Sequence, residues 1–484
     1  MSAQTSPSRR NGLRRRPALA ALAATLWLAG CASPAPQSQA PDAATLQQAG
    51  VPPQLPAAAG APAETPALAW RQVVQSPRLV RWVGLALANN RDLRVAMLHV
   101  QRAQAQLGLA DANRAPAIGA GLTASGAPNS RGDQTNSLSA GLQLSAWEID
   151  LFGRLAKLSE AARAQLLASQ AGRRAAELSL VAAVLQAGLA LQANEELLAL
   201  ARQALASREQ TLQLTKLRES VGAASLLDLQ AQQTLAAQAR ASIAQLTRQQ
   251  AQDSNALALL LGQPVPVAAA SPQGLAPTEF ASAGPHLADE AWLAEVPAGL
   301  SSSVLLARPD VIAAEQAMRA AQANIAAARA ALWPAITLTA QAGQASAQLA
   351  GLFAGGNFAY TLAASAVATV FDGGRRQAGV DGAVASQQIA LAQYERSLQA
   401  ALRETADALA GLATWREQLA AQTALRDGAR ETARLTELKA SQGAASALEH
   451  LDAQRALWAA EQAVVQVRLG ELVNRVALFK ALGR

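Results

Sequence analysis

Three spacings occur twice in this chain, and together they dictate two copies of one substructure. Asp92 to Pro116 and Asp310 to Pro334 both span 24 residues. Gly153 to Gly222 and Gly374 to Gly443 both span 69, and Gly222 to Gly262 and Gly443 to Gly483 both span 40. Local words repeat with the spacings: Pro116-Ala117-Ile118 answers Pro334-Ala335-Ile336, and Gly222-Ala223-Ala224-Ser225 answers Gly443-Ala444-Ala445-Ser446. A solenoid unit is about 20–50 residues long, so a period near 220 residues means a duplicated domain.

Proline placement says what each copy is made of. All 21 prolines lie outside two windows, residues 129–263 and 335–484, which are rich in Ala, Leu, Gln, Glu and Arg. Proline costs about 3 kcal/mol in a helix interior, while those residues are strong helix formers. Residues 154–218 and 375–439 are therefore each predicted as one helix, about 100 Å long at a rise of about 1.5 Å per residue. Each runs into a glycine, Gly222 or Gly443, suited to the left-handed end of a helix, and then a serine, Ser225 or Ser446, suited to cap the next. Tight helical hairpins follow. In the second returning helix Leu448, Leu451, Trp458, Val465, Leu469, Leu472, Val476 and Phe479 follow steps of three and four, the seam of a left-handed coiled coil. The returning helix 225–262 is too short to cover a long one. Helices at 85–113 and 308–331 supply the remaining length if two short helices stand end to end beside each long helix.

The period changes to two between Pro116 and Gly153 and between Pro334 and Gly374. Leu138, Ala140, Leu142, Leu144 and Ala146 alternate with Ser139, Gly141, Gln143 and Ser145; Ile336, Leu338 and Ala340 alternate with Thr337, Thr339 and Gln341. This pattern predicts strands at 117–126, 138–147, 335–345 and 358–370, apolar on one face and long enough to cross a bilayer when tilted. Four strands cannot close a barrel, and an open edge in lipid leaves backbone groups unpaired. A membrane-spanning reading therefore requires an oligomer, with three chains giving twelve strands.

The N-terminus indicates the compartment. Arg9, Arg10, Arg14, Arg15 and Arg16 precede an apolar run at 18–29 and the word Leu28-Ala29-Gly30-Cys31, which is the pattern of a secretory signal peptide. The last word is similar to a bacterial lipobox, in which the cysteine is acylated and becomes the mature N-terminus. Cys31 is the only cysteine, so no internal disulfide forms. Removing residues 1–30 removes five arginines and lowers the net charge from +7 to +2, too little for a nucleic-acid surface. Ala32 follows the cysteine, which favours the outer membrane, and residues 32–66, rich in Pro, Ala and Gln, read as a tether. Domain bounds follow: signal peptide 1–30, anchored tether 31–67, first repeat 68–262 with its strand hairpin at 116–150, linker 263–307, second repeat 308–484 with its strand hairpin at 334–372.

Enzyme chemistry has no foothold. His99, His286 and His450 are far apart and lack further ligands at metal spacing; there is no phosphate-binding lysine motif and no nucleophile elbow. No catalytic residue, cofactor or metal is assigned. Arg131-Gly132-Asp133 is turn chemistry, and Met1, Met97 and Met318 form no ladder for soft metals.

Several words in order carry a family resemblance from about residue 68 to the C-terminus. Asn90-Arg91-Asp92-Leu93-Arg94, Asp150-Leu151-Phe152-Gly153-Arg154, Arg308-Pro309-Asp310, Phe371-Asp372-Gly373-Gly374-Arg375 and Leu451-Asp452-Ala453-Gln454-Arg455 resemble the TolC-type outer-membrane efflux factors, in the NodT-like lipoprotein branch that includes OprM. The resemblance implies a mainly α, internally duplicated chain with a transmembrane β part: a long α-helical barrel plus four strands contributed to a trimeric 12-stranded β-barrel. It implies an outer-membrane channel, lipid-anchored and extending into the periplasm, that exports small molecules such as drugs with a periplasmic adaptor and an inner-membrane pump. A duct for protein secretion shares the architecture, and a coiled-coil structural lipoprotein would share the helices and Cys31.

The same resemblance assigns roles at the hairpin ends. Val221, Gly222, Ala223, Ala224 and Ser225, with Gly443, Ala444, Ala445 and Ser446, match the adaptor-contact tips. Asp228, Glu449 and Asp452 match the acids that constrict the periplasmic mouth, while the tyrosine and arginine latch partners are replaced by Ala440 and Ala445. Threefold symmetry would gather Glu449 and Asp452 into a ring of six carboxylates that attracts cations and whose mutual repulsion raises its pKa values.

Overall fold

The computed structural model describes residues 70–128, 130–132, 134–265, 287, 292–293, 303–352, 354 and 356–483. The signal peptide, Cys31, the tether and most of the linker lie outside the described residues. The first repeat opens with α1 (Trp70–Val73), α2 (Pro77–Asn89) and α3 (Arg91–Ala112), followed by β1 (Ile118–Pro128) and β2 (Gln134–Glu148). The long helix α4 (Arg154–Ser220) and its return α5 (Leu226–Leu261) complete it. The short α6 (Ser303–Leu306) lies at the end of the linker, and the second repeat has α7 (Pro309–Ala330), β3 (Ala335–Ser346), β4 (Phe358–Val367), α8 (Arg375–Ser441) and α9 (Ala447–Leu482). Both long helices are 67 residues and both returns are 36.

The helix expected over 85–113 is in fact two. Asn90 is extended, with φ −62° and ψ 132°, and ends α2 while capping α3: its Oδ1 accepts from Leu93 N at 2.9 Å. Its Nδ2 donates to the Leu260 carbonyl at 2.9 Å, so one side chain joins the start of α3 to the end of α5. Gly262 sits in this joint with φ 68°, where a Cβ would come within 2.9 Å of the Asn89 carbonyl carbon. In the second repeat Arg308, the N-cap residue of α7, reaches the Ala481 carbonyl at the end of α9. The short helices thus stand end to end beside the long ones.

Packing is densest at the middle of the long helices. Leu79, Trp82, Val83, Leu185, Leu189, Leu257, Leu261, Trp292, Leu472, Val476 and Phe479 belong to one buried cluster. Gly188 lets α2 approach α4: a Cβ there would lie 2.7 Å from Leu79 Cδ2 and 3.0 Å from the Trp82 ring. Buried Glu471 takes both Arg468 and Arg475, whose guanidiniums also donate to the carbonyls of Leu287 and Leu293 at 3.2 and 3.3 Å. The described part of the linker is thereby pinned to α9. One stretch of α4 is apolar enough to cross a membrane, but half of it is buried within the protein as core. The α9 seam holds from Leu451 to Phe479, whereas Leu448, in the first turn of α9 at the hairpin tip, is exposed.

The strands form one antiparallel sheet in the order β1-β2-β3-β4. β2 begins at Gln134, four residues before the expected start, because the polar Gln134–Ser137 stretch pairs with β1; β4 stops at Val367 rather than 370. Register separates the faces. Ala120, Leu142, Ala342 and Tyr360 align on one, and Gly119, Gln143, Gln341 and Thr361 on the other. Thr123 and Ser139 are hydrogen-bonded across the polar face, and Gln341 Nε2 donates to Ser139 Oγ at 3.2 Å. On the apolar face Ile118, Leu122, Leu142, Phe358, Tyr360 and Leu362 are all exposed. A bulge between Leu144 and Trp147 places Ala146 at φ 45°, the one non-glycine with positive φ among the described residues.

Candidate functional site

Each hairpin tip is built by the same local chemistry. Gly222 and Gly443 both have φ 72°, which a Cβ would oppose, and the N–H groups of Ala223 and Ala444 close back onto the carbonyls of Arg218 at 2.7 Å and Lys439 at 2.9 Å. The next residues, Ser225 and Ser446, head capping boxes. Ser225 Oγ accepts from Asp228 N at 3.1 Å while Asp228 Oδ2 accepts from Ser225 N at 3.2 Å. Ser446 Oγ accepts from Glu449 N at 3.2 Å while Glu449 Oε2 accepts from Ser446 N at 2.8 Å. The tip residues are exposed apart from partly covered Ala224 and Ala445, and Val221, Leu226, Leu227 and Leu448 add exposed apolar side chains around them.

The capping boxes account for a spacing that looks functional in the sequence. Asp228 and Glu449 each lie six residues beyond a tip glycine because that is the third helical position after the serine, where a carboxylate reaches back to the cap N–H. The hydrogen bonds from the Ser446 backbone and hydroxyl, with the nearby charge of Lys439, hold Glu449 below the usual carboxylate range. In the single chain its pKa therefore moves opposite to the rise expected of a carboxylate ring. Asp452 is engaged by Arg455 at 3.2 Å, an exposed i,i+3 pair. The structure thus brings Glu449 and Asp452 onto one end of α9 and puts Asp228 on the equivalent turn of α5.

The opposite end of the helices carries the strand junctions. Glu148 at the foot of β2 receives Arg154 through Nε at 2.9 Å and Nη2 at 2.6 Å, and Asp150 Oδ2 accepts from Ala156 N at 2.7 Å. In the second repeat Asp372 accepts from Arg376 Nε at 2.9 Å and Gly374 N at 3.0 Å. Phe152 stacks on Trp333 with ring centroids 5.4 Å apart, joining the β2–α4 junction to the turn between α7 and β3. Gly153 and Gly374, with φ 74° and 83°, supply the left-handed step from strand to helix. Sequence reading finds these words but not their bonds. It misses Arg308 altogether as a junction: this buried guanidinium bridges Asp310 at 2.7 Å and Glu404 at 2.8 Å.

A membrane-length amphipathic sheet fixed to the ends of two long helical hairpins defines an outer-membrane duct with a helical body. Residues 82–263 and 300–484 match the outer membrane efflux protein family. The chain is 38% identical over 477 residues to the antibiotic efflux pump outer membrane protein ArpC of Pseudomonas putida, covering 96% of this chain and 95% of that one. It is 35% identical over 459 residues to the probable outer membrane lipoprotein SilC of Salmonella typhimurium, covering 94% and 96%. The crystal structure of the open state of the Neisseria gonorrhoeae MtrE outer membrane channel aligns with a TM-score of 0.81 at 32% identity, covering 93% of this chain and 97% of that one. The chain belongs to the outer membrane efflux protein family.

Proposed function

We propose that three copies of this chain form the outer-membrane duct of a tripartite efflux system exporting small molecules, with a periplasmic adaptor and an inner-membrane pump as partners. The observation that carries this reading is the sheet. Its apolar face is exposed, and β1 and β4 each leave one edge unpaired in the chain. Lipid tolerates a sheet only when every backbone group is satisfied, so β4 of one copy pairs with β1 of the next until twelve strands close. The exposed face then meets lipid and the Gln, Thr, Ser and Gly face meets water.

The remaining roles follow from this arrangement. Cys31 carries the lipid anchor. Val221, Gly222, Ala223, Ala224 and Ser225 with Gly443, Ala444, Ala445 and Ser446 receive the adaptor, and Asp228, Glu449 and Asp452 gather at the periplasmic mouth. The small tip residues permit close approach of a partner backbone, and the apolar side chains beside them supply contact area. The test is mass measurement of the purified lipoprotein in detergent, followed by drug susceptibility of a strain lacking the gene. A trimer, and loss of resistance in that strain, are expected; a monomer, or full resistance without the gene, would defeat the reading. Replacing Ala223 and Ala444 with Glu should leave trimers intact and abolish adaptor cross-linking.

A further inference from the structure

Where α4 runs against α9 there is a cavity of about 350 Å³, whose wall is completed by α8. Arg208, His450 and Trp458 line its inner side, with Leu200, Ala204 and Leu457 as apolar wall. Arg208 is 5% exposed; its guanidinium lies 4.8 Å from the Trp458 ring centroid, and Nη1 donates to the Leu235 carbonyl at 3.1 Å. Among the described residues no carboxylate forms an ion pair with it. Four more charged residues line the cavity: Arg430 and Glu461 pair with each other at 3.1 Å, Arg434 pairs with Glu431 outside the lining at 2.7 Å, and Glu437 is exposed.

Two of the lining residues each carry a ring nitrogen that lacks a partner. Trp458 Nε1 and His450 Nδ1 are both buried without a hydrogen bond. Gln454 Nε2 lies 2.9 Å from His450 Nε2; with the amide nitrogen as donor, the tautomer that fits is the one with its proton on Nδ1. The walls of the cavity therefore hold a buried cation without a counter-ion and two buried ring nitrogens without a hydrogen-bond partner. A buried charge without a counter-ion and a buried donor without an acceptor are both costly, so an occupant that supplies oxygens and negative charge relieves all three. Burial, reinforced by the charge of Arg455, lowers the pKa of Arg208, as this deficit requires.

We propose that this cavity is a binding site for a small organic carboxylate, with Arg208 as counter-ion and His450 and Trp458 as hydrogen-bond donors. The apolar wall accommodates the organic body. Because its lining comes from α4, α8 and α9 together, an occupant ties the second hairpin to the first. This site is separate from the residues assigned to the tips and mouth, and its occupancy is measurable without any transport assay.

The test is calorimetric titration of the full-length lipoprotein in detergent with benzoate, neutral benzamide and inorganic phosphate. Benzoate should bind at least tenfold more tightly than benzamide or phosphate, and Arg208→Gln should lose that preference. Trp458→Phe keeps the ring and removes only the N–H, so it should weaken benzoate severalfold in a protein whose fold is checked by circular dichroism. Equal binding of benzoate and benzamide, tighter binding of phosphate, or benzoate binding unchanged in both variants would each overturn the proposal. Failure of benzoate binding alongside intact trimers and efflux would remove this site and leave the duct reading standing.

Discussion

Asn90 and Arg308 occupy matching places in the two repeats and make the same joint with different chemistry. Asn90 donates to the Leu260 carbonyl at 2.9 Å from a neutral amide. Arg308 reaches the Ala481 carbonyl at 3.5 Å with a charge, and therefore needs Asp310 and Glu404 around it. The asymmetry has consequences for stability that differ between repeats.

Removing acids should hurt more than removing the base in the Arg308 cluster. The Arg308 side chain is 4% exposed, whereas Asp310 and Glu404 are 44% and 34% exposed and can be hydrated. Arg308→Met should cost about 1–3 kcal/mol, the range for lost charge-assisted hydrogen bonds. The double variant Asp310→Asn, Glu404→Gln strands a buried cation and should cost about 3–5 kcal/mol. Denaturant titration of both variants checks the order.

Acid sensitivity should follow the same cluster. Burial pushes Asp310 upward, but the hydrogen bond and charge of Arg308 outweigh it and leave its pKa below the usual carboxylate value. A depressed carboxylate stabilises above its unfolded pKa and loses that contribution as pH falls through its folded pKa. The wild type should lose stability below about pH 4, while Arg308→Met should lack that component. Melting temperatures across pH 2.5–6, taken as about the range over which carboxylates titrate, provide the measurement.

At Gly188 two effects oppose each other. Alanine gains about 1 kcal/mol of helix propensity, but its Cβ would press on Leu79 and Trp82, and overpacking costs about 1–3 kcal/mol. Gly188→Ala should be net destabilising, and adding Leu79→Val should recover part of the loss by making room.

The strained residue in the sheet offers the reverse case. Ala146 at φ 45° bears a left-handed penalty of about 1–2 kcal/mol that glycine does not. Ala146→Gly should raise the melting temperature of the detergent-solubilised protein, provided the bulge keeps its register.

Ser446 should matter locally. Its replacement by Ala removes an N-cap worth about 1 kcal/mol. The Glu449 pKa should rise only part of the way toward its ordinary value, since the hydroxyl bond is lost while the larger contribution, the bond from the backbone N–H of residue 446, remains. Hydrogen exchange should quicken in peptides covering the start of α9 and remain unchanged at its far end. For the anchor, Cys31→Ser should abolish acyl labelling.

Turns and alternation were legible because single residue types enforce them. Gly222 and Gly443 hold positive φ, Ser225 and Ser446 cap, and the two-residue period of Leu138, Ala140 and Leu142 has one reading as a strand. The break at Asn90 was hidden because good helix formers surround it and an interior asparagine costs little; only its cap position makes it a boundary. Arg308 with Glu404 and Arg208 with Trp458 join positions too distant in sequence for any period to reveal. Asp228 and Glu449 were visible, but their matched offset has a local cause in the capping box, which the functional assignment alone would conceal.

The end-to-end joints also set how such a tube yields. α4 and α8 run through without interruption, whereas their flanking helices are severed at Asn90 and Arg308, beside the midpoints of the long rods. In the proposed threefold assembly the two cuts of each chain make six in all. Torsion applied at the tips of that assembly would be carried past the cuts by the six unbroken rods alone, so twisting is expected to be taken up at the joints before it reaches the sheet.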